Sequence, residues 1–127
     1  MLTHYLGESG ADQVNQLLAS GPGKIALCAI SWVELDRRLT ELVDDEAERS
    51  RVFRLYTEAL TSAVPVNVAV AREAIRLMAS CPARVPLVDG LIAASAVHLG
   101  LILVHRDKHM DAIADKRLQS IRLPDKA

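Results

Sequence analysis

The sequence predicts an α/β fold, built as a single domain over residues 1–127. Apolar runs of strand length alternate with segments of helical periodicity, a pattern typical of a parallel sheet with helices on both faces. Half of the residues are hydrophobic but only 3% are aromatic. The core must therefore be built from Leu, Ile, Val and Ala, which suits helices packed on a sheet. The length is sufficient for one core.

The first half of the chain is predicted to hold one strand among three helices. The first helix follows a capping box at residues 9–12 and ends before the Gly-Pro-Gly break at 21–23. An apolar run at 25–30 has the length of a strand. Further helices are predicted from 31 to about 42 and from 44–46 onward.

In the second half, a short strand at 64–67 contains Pro65, which confines it to a sheet edge. A short helix near 110–116 and a last strand near 121–123 are predicted at the C-terminal end. Between the short strand at 64–67 and the stretch from 85 onward, a helix is predicted with the apolar residues Val70, Ala74, Ile75 and Met78.

The stretch from 85 to 107 organises the predicted fold. Pro86 opens an alanine-rich helix that is apolar almost all round, so it should be buried against something flat, and Gly100 ends it. The four apolar residues 101–104 predict a strand covered on both faces. The predicted strand is about as long as the predicted helix and runs in the opposite direction. Asp89, near the start of the helix, and Asp107, just after the strand, should therefore lie at the same edge of the sheet.

Composition excludes several classes of protein. No apolar run approaches the length of a membrane span, and the N-terminus does not have the pattern of a signal peptide. Cys28 and Cys81 lack paired metal spacing and are typical of thiols in a reducing cytoplasm. The net charge is −1, but residues 1–60 carry −4 and residues 61–127 carry +3, which is a weak indication of a polyanionic substrate.

Three acids occupy equivalent topological places. Glu34 and Asp89 lie one turn into helices, and Asp107 lies just beyond a strand. In a parallel sheet all three should converge on one edge, where clustered carboxylates repel each other unless a cation lies among them. Oxygen-only ligands favour Mg²⁺ or Mn²⁺ over Zn²⁺. Such a site can activate water and bind a phosphodiester, so hydrolysis of a nucleic-acid backbone is the implied reaction.

Each of the three acids also has a purely structural interpretation. Glu34 completes the capping box Ser31-x-x-Glu34. Asp89 is favoured in a first helical turn by the helix dipole. Asp107 suits a solvated turn. The metal hypothesis therefore depends on the convergence of all three.

Other candidate residues are less well supported. His105 and His109 are four residues apart, but a strand end should separate them, which argues against a zinc pair. Ser31 lacks the elbow motif of a nucleophile. No glycine-rich phosphate loop is present in the sequence. Three basic residues could contact phosphates near the site: Arg84, Arg106 and Lys108. Two further acids, Asp36 and Asp111, are secondary candidates for the site.

Three segments of the chain resemble the PIN-domain family, and most closely the VapC-type toxin ribonucleases. Residues 29–35 (AISWVEL) are similar to the family's strand-to-helix segment with its acid. Residues 86–96 (PLVDGLIAASA) resemble its most recognisable motif. Residues 103–107 (LVHRD) followed by 110–113 (MDAI) resemble the segment that carries its last acid. The likeness extends from the N-terminus to about Pro124.

The resemblance implies a three-layer α/β/α domain and an RNA-cleaving enzyme that depends on Mg²⁺ or Mn²⁺. Glu34, Asp89 and Asp107 would then be the catalytic, metal-binding acids. It also implies a toxin of a toxin–antitoxin module, located in the cytoplasm, with a small antitoxin protein as partner and a homodimer as the assembly.

One departure from the family pattern affects the expected activity. Family members begin with a strand that ends in aspartate, whereas residues 1–6 here resemble the helix that follows it. The first central strand would then be missing from the sheet. Three explanations are open: a start codon assigned too late, replacement of the strand by N-terminal residues or another chain, or a degraded toxin. The alternatives to an enzyme are an inactive PIN-like module that binds an antitoxin or itself, and a structural α/β protein whose acids are all caps.

Overall fold

The computed structural model describes residues 5–7, 9–20, 25–106, 110–111, 113 and 115–124. The chain divides into two compact units, Met1–Pro65 with Lys126–Ala127 and Val66–Asp125. No helix within the described ranges is long and apolar enough to cross a membrane. The prediction of one domain over residues 1–127 stays a prediction.

The first unit contains a pair of parallel strands and the helices next to them in sequence. Strand β1 pairs with β2, with Ala26 opposite Ser62 and Cys28 opposite Val64. The elements, in chain order, are α1 Ala11–Ala19, β1 Ala26–Cys28, α2 Ala29–Leu42, α3 Glu46–Arg54, a π-helical turn Leu55–Ala59 and β2 Ser62–Val64.

Local hydrogen bonds fix the junction between α2 and α3. The Asp45 carboxylate accepts a hydrogen bond from the backbone N–H of Ala47 and caps α3. Arg49 donates through Nη1 to the carbonyl oxygens of Val43 and Asp44, at 2.6 and 2.9 Å. These bonds satisfy carbonyl groups just beyond the end of α2, so the chain turns there with its polar groups paired.

The second unit also contains a pair of parallel strands. Its elements are α4 Val68–Ala79, α5 Leu87–Leu99, β3 Ile102–His105 and β4 Gln119–Arg122. Strand β3 pairs with β4, with Ile102 opposite Gln119 and His105 opposite Arg122. Both pairs are parallel, as the alternation of strands and helices predicts.

The boundaries of α5 agree with the sequence prediction. Pro86 is its N-cap, and Gly100 ends it in the left-handed conformation with φ of 65°. A left-handed residue after a helix is most readily glycine, because it has no Cβ to clash. The prediction that α5 is buried against a flat surface is only partly correct. The fully buried residues of α5, Ala93 and Ala94, pack within clusters that include residues of the helix α4.

The prediction that β3 is covered on both faces is wrong. Its side chains alternate, and Ile102 and Val104 are 54% and 37% exposed. Of the apolar residues named for α4, Ile75 is 69% exposed. Leu77 is fully buried, and Glu73 is buried beside it on the same helix.

Several predicted boundaries also differ from the structure. The strand at 25–30 is shorter, because the backbone becomes helical at Ala29. The strand at 64–67 lies earlier, at Ser62–Val64, so that Pro65 follows it. In the predicted helix 110–116, Met110 and Asp111 form a 3₁₀ turn, and the other described residues of that range are not helical.

Candidate metal centre

Glu34 is the sixth residue of α2 and is exposed. The helix begins at Ala29 with Cys28 as N-cap, so Ser31 lies inside the helix and is not its cap. The capping-box interpretation of Ser31 and Glu34 is therefore wrong. Since Glu34 lies beyond the first turn, an N-terminal capping role does not account for its carboxylate.

Asp89 lies in the first turn of α5, as predicted, and is half-buried. Its neighbour Gly90 is buried, and a Cβ on Gly90 would lie 2.6 Å from the Sδ atom of Met78 on α4. The first turn of α5 therefore passes close to α4 just where Asp89 lies. This contact anchors the backbone that carries the Asp89 carboxylate.

Asp107 and its neighbours Lys108 and His109 lie outside the described residues. The chain is described up to Arg106, which is half-buried and follows the end of β3 directly. Glu34 belongs to the first unit and Asp89 to the second. Convergence of the three acids therefore stays a prediction.

Within the described ranges, no three side chains of His, Cys, Asp or Glu lie close enough together to hold a metal ion. Asp107 lies outside these ranges, so the three-acid site stays a prediction. The donor set itself is suitable for Mg²⁺ or Mn²⁺, because it consists of carboxylate oxygens only.

The side chain of His105 lies close to the carboxylate of Asp111. Its Nε2 atom lies 3.7 Å from Oδ1 of Asp111, and Arg122 donates through Nη1 to Oδ2 of the same carboxylate at 2.8 Å. His109, the other histidine of the hypothetical zinc pair, lies outside the described residues. The contact with Arg122 depends on the pairing of β3 with β4, so sequence spacing offers no signal for it.

An open cavity of about 380 Å³ lies in the second unit, beside the start of α5. It is lined by the connection between α4 and α5, including Cys81, Arg84 and Leu87. Neither Glu34 nor Asp89 lines it. The cavity therefore gives no independent support to the metal hypothesis.

Parallel strands joined through helices, with acids on α2 and α5, define an α/β protein. The family model of the PIN domain matches residues 1–116, and the chain belongs to the PIN domain family. No curated protein matches the chain.

Among solved structures, the chain is similar to the crystal structure of VapBC2 from Rickettsia felis bound to a DNA fragment from their promoter. The TM-score is 0.70 at 14% sequence identity, over 91% of this chain and 86% of that one. At this identity the likeness shows the fold. The sequence-based prediction of an α/β, PIN-like fold is confirmed.

Proposed function

We propose that this protein is a ribonuclease of the VapC type that hydrolyses RNA phosphodiesters with the help of Mg²⁺ or Mn²⁺. The observation that carries the proposal is the PIN domain match over residues 1–116, which includes the segments of Glu34, Asp89 and Asp107. Dependence on divalent metal ions is general among PIN domains, and the proposal extends it to this chain.

The proposed ligands are the carboxylates of Glu34, Asp89 and Asp107. Glu34 is exposed on α2, and Asp89 is half-buried in the first turn of α5. Each side chain is attached to a helix, which restrains the local backbone that carries it. An ion bound there would offset the repulsion between the carboxylates.

The chemistry divides between the ion and the chain. When bound, Mg²⁺ or Mn²⁺ neutralises phosphate charge and activates the attacking water. The three acids orient the RNA backbone indirectly, by fixing the place where its phosphate is bound. Arg106, which directly follows β3, and Arg84, exposed near the start of α5, attract the polyanion toward that place.

The proposed biological role is that of a toxin neutralised by a small antitoxin protein. The structural neighbour from Rickettsia felis is a VapBC2 complex on promoter DNA, and the present chain covers 86% of the neighbour's chain. A homodimer located in the cytoplasm completes the proposal. Copurification with an antitoxin encoded beside the gene would support the partner, independently of any cleavage assay.

Substitution of Asp89 tests the enzymatic proposal directly. Asp89→Asn keeps the side-chain volume and removes the charge, so α5 should stay intact while metal-dependent RNA cleavage falls at least about a hundredfold. Cleavage is measured on a mixed RNA substrate with Mg²⁺ or Mn²⁺ and repeated with a chelator. Asp12→Asn, which alters an exposed acid in α1, is the matched control and should cleave normally.

Calorimetric titration with Mn²⁺ separates the enzyme from the binding module. The proposed site should give saturable heat that is lost in Asp107→Asn and in Glu34→Gln but kept in Asp12→Asn. Equal heats in all four proteins would remove these acids from the site. Absence of both Mn²⁺ binding and cleavage, with retained antitoxin binding, would favour the inactive module.

A further inference from the structure

Strand β4 is held with little burial of its own side chains. All four of its residues, Gln119–Arg122, are exposed, although the strand pairs with β3 along its whole length. Burial of apolar side chains is normally the main stabilising contribution for a strand. The attachment of β4 must therefore depend more than usual on backbone pairing and on the groups at its two ends.

An ion-pair network lies just before β4. Arg117 donates through Nε and Nη2 to the Asp115 carboxylate, at 3.1 and 2.8 Å, and its Nη1 lies 2.5 Å from Oε1 of Glu73. Glu73 belongs to α4 and is only 5% exposed. Arg76 contacts the other oxygen of Glu73 at 3.2 Å. The turn before β4 is thus bound to α4 through a buried carboxylate.

A second polar contact lies at the far end of β4. Arg122, its last residue, donates to the Asp111 carboxylate at 2.8 Å, and His105 of β3 lies 3.7 Å from the same group. The backbone N–H of Leu123 donates to the carbonyl oxygen of His105 at 2.6 Å, and Leu123 is buried. The strand is therefore held at both ends by charged groups as well as by the apolar residues Leu118, which packs against the cluster of Leu77, and Leu123.

We propose that β4 is a charge-latched edge strand, which separates from β3 when the ion pairs at its ends are broken. The latch consists of two groups of ion pairs. The Glu73–Arg117–Asp115 network lies just before the strand, and the Asp111–Arg122 pair lies at its last residue. Opening is a local event, because the apolar cluster of Leu77, Val85 and Ala93 remains packed around α4 and α5. The proposal does not depend on the proposed enzymatic function.

Burial makes Glu73 the decisive member of the latch. The attraction of Arg117 to this carboxylate is screened by salt less than the attraction between two exposed charges, because Glu73 is buried. Exposed pairs such as Arg122–Asp111 are weaker and are screened by salt. Neutralising Glu73 should therefore loosen β4 more than raising the ionic strength does.

Hydrogen exchange measured by mass spectrometry on the full chain tests the latch. In Glu73→Gln, amides of β4 should exchange about tenfold faster, while those of α5 keep the rate of the unsubstituted protein. Arg122→Gln should accelerate β4 by a smaller factor. Glu41→Gln is the matched control: it breaks the exposed Arg38–Glu41 pair of α2 and should leave β4 unchanged.

The comparison of β4 with α5 makes every outcome decisive. Faster exchange confined to β4 in either latch variant supports the proposal. Unchanged β4 exchange in Glu73→Gln and Arg122→Gln overturns it, as does equal acceleration of β4 and α5 in both. If Glu73→Gln fails to fold, Arg122→Gln decides alone, supplemented by exchange of the unsubstituted protein at about 0.1 M and about 1 M salt.

Discussion

The core of the first unit and the Ala74–Ala94 cluster between α4 and α5 are packed with side chains of different size. The first core buries large groups, and Leu39, Val52 and Tyr56 are almost completely removed from solvent. The cluster shared by α4 and α5 consists of Ala74 and Ala94 with Val70, beside a separate cluster of larger side chains in the same unit. The first core is thus filled by large side chains, whereas the small residues of α4 and α5 bring two helix backbones close together.

This difference determines which substitutions the first core and the contact between α4 and α5 can each accept. A core of large side chains loses most when one is shortened, because neighbours relax only partly into the cavity. A contact between small side chains loses most when one is enlarged, because the helices must move apart. The close approach of Gly90 to Met78 Sδ belongs to the second kind.

Shortening a large side chain should have the greatest effect on stability. Leu39→Ala removes a side chain that is 1% exposed and should lower the free energy of unfolding by about 3 kcal/mol. Urea denaturation followed by circular dichroism measures the loss. Leu42→Ala, on the same helix but 46% exposed, should cost less than about 1 kcal/mol. Equal losses would contradict the account of the first core.

Enlarging a small side chain should have an intermediate effect. Ala94→Leu inserts three carbon atoms where the alanine is fully buried and should lower the free energy of unfolding by about 1–3 kcal/mol. Ala69→Leu, an exposed position on α4, is the control and should be close to neutral. A stabilising Ala94→Leu would show that the contact between α4 and α5 contains unfilled space.

Local signals explain why α5 was predicted well and the start of α2 was not. Pro86 and Gly100 act through their own backbone geometry, which the sequence displays directly. The N-cap of α2 is Cys28, which makes no capping hydrogen bond through its side chain. Without a capping side chain, the apolar run across Ala29 gives no sign that the strand has ended. For this reason the sequence wrongly predicts Ser31 as the cap.

Tertiary contacts explain the remaining errors. Hydrophobic periodicity considers only apolar residues, so it gives no signal for the burial of Glu73 and does not show that Ile75 is exposed. The structure buries Glu73 because Arg76 and Arg117 offset its charge, and Arg117 is 44 residues away. An apolar run at 101–104 likewise cannot show which face of β3 is covered. The candidate acids Glu34 and Asp89 were located on the right helices, and their convergence with Asp107 stays a prediction.

The smallest expected effect concerns the charged groups at the periphery of the second unit. Hydrogen bonds from the side chain and backbone of Arg117 lower the pKa of Asp115 below its ordinary value. Because the pKa is lower in the folded state, Asp115 contributes stability above its unfolded pKa of about 3.9, and this contribution is lost as the pH falls through the folded pKa. Asp115 should thus help to hold the turn before β4 at any pH above about 3.9.

Asp115→Asn should therefore lower the thermal midpoint at pH 6, and the difference from the unsubstituted protein should shrink as the pH is taken below about 3.9. The decrease should amount to a few degrees at most, since the side chain of Arg117 is 52% exposed and its ion pair is screened by solvent. In an Arg117→Gln background the same substitution should make a smaller difference at pH 6, because the guanidinium is gone and only the backbone N–H of residue 117 still donates to Asp115. An equal decrease there would mean that the guanidinium of Arg117 is not the partner through which Asp115 stabilises this edge of the unit.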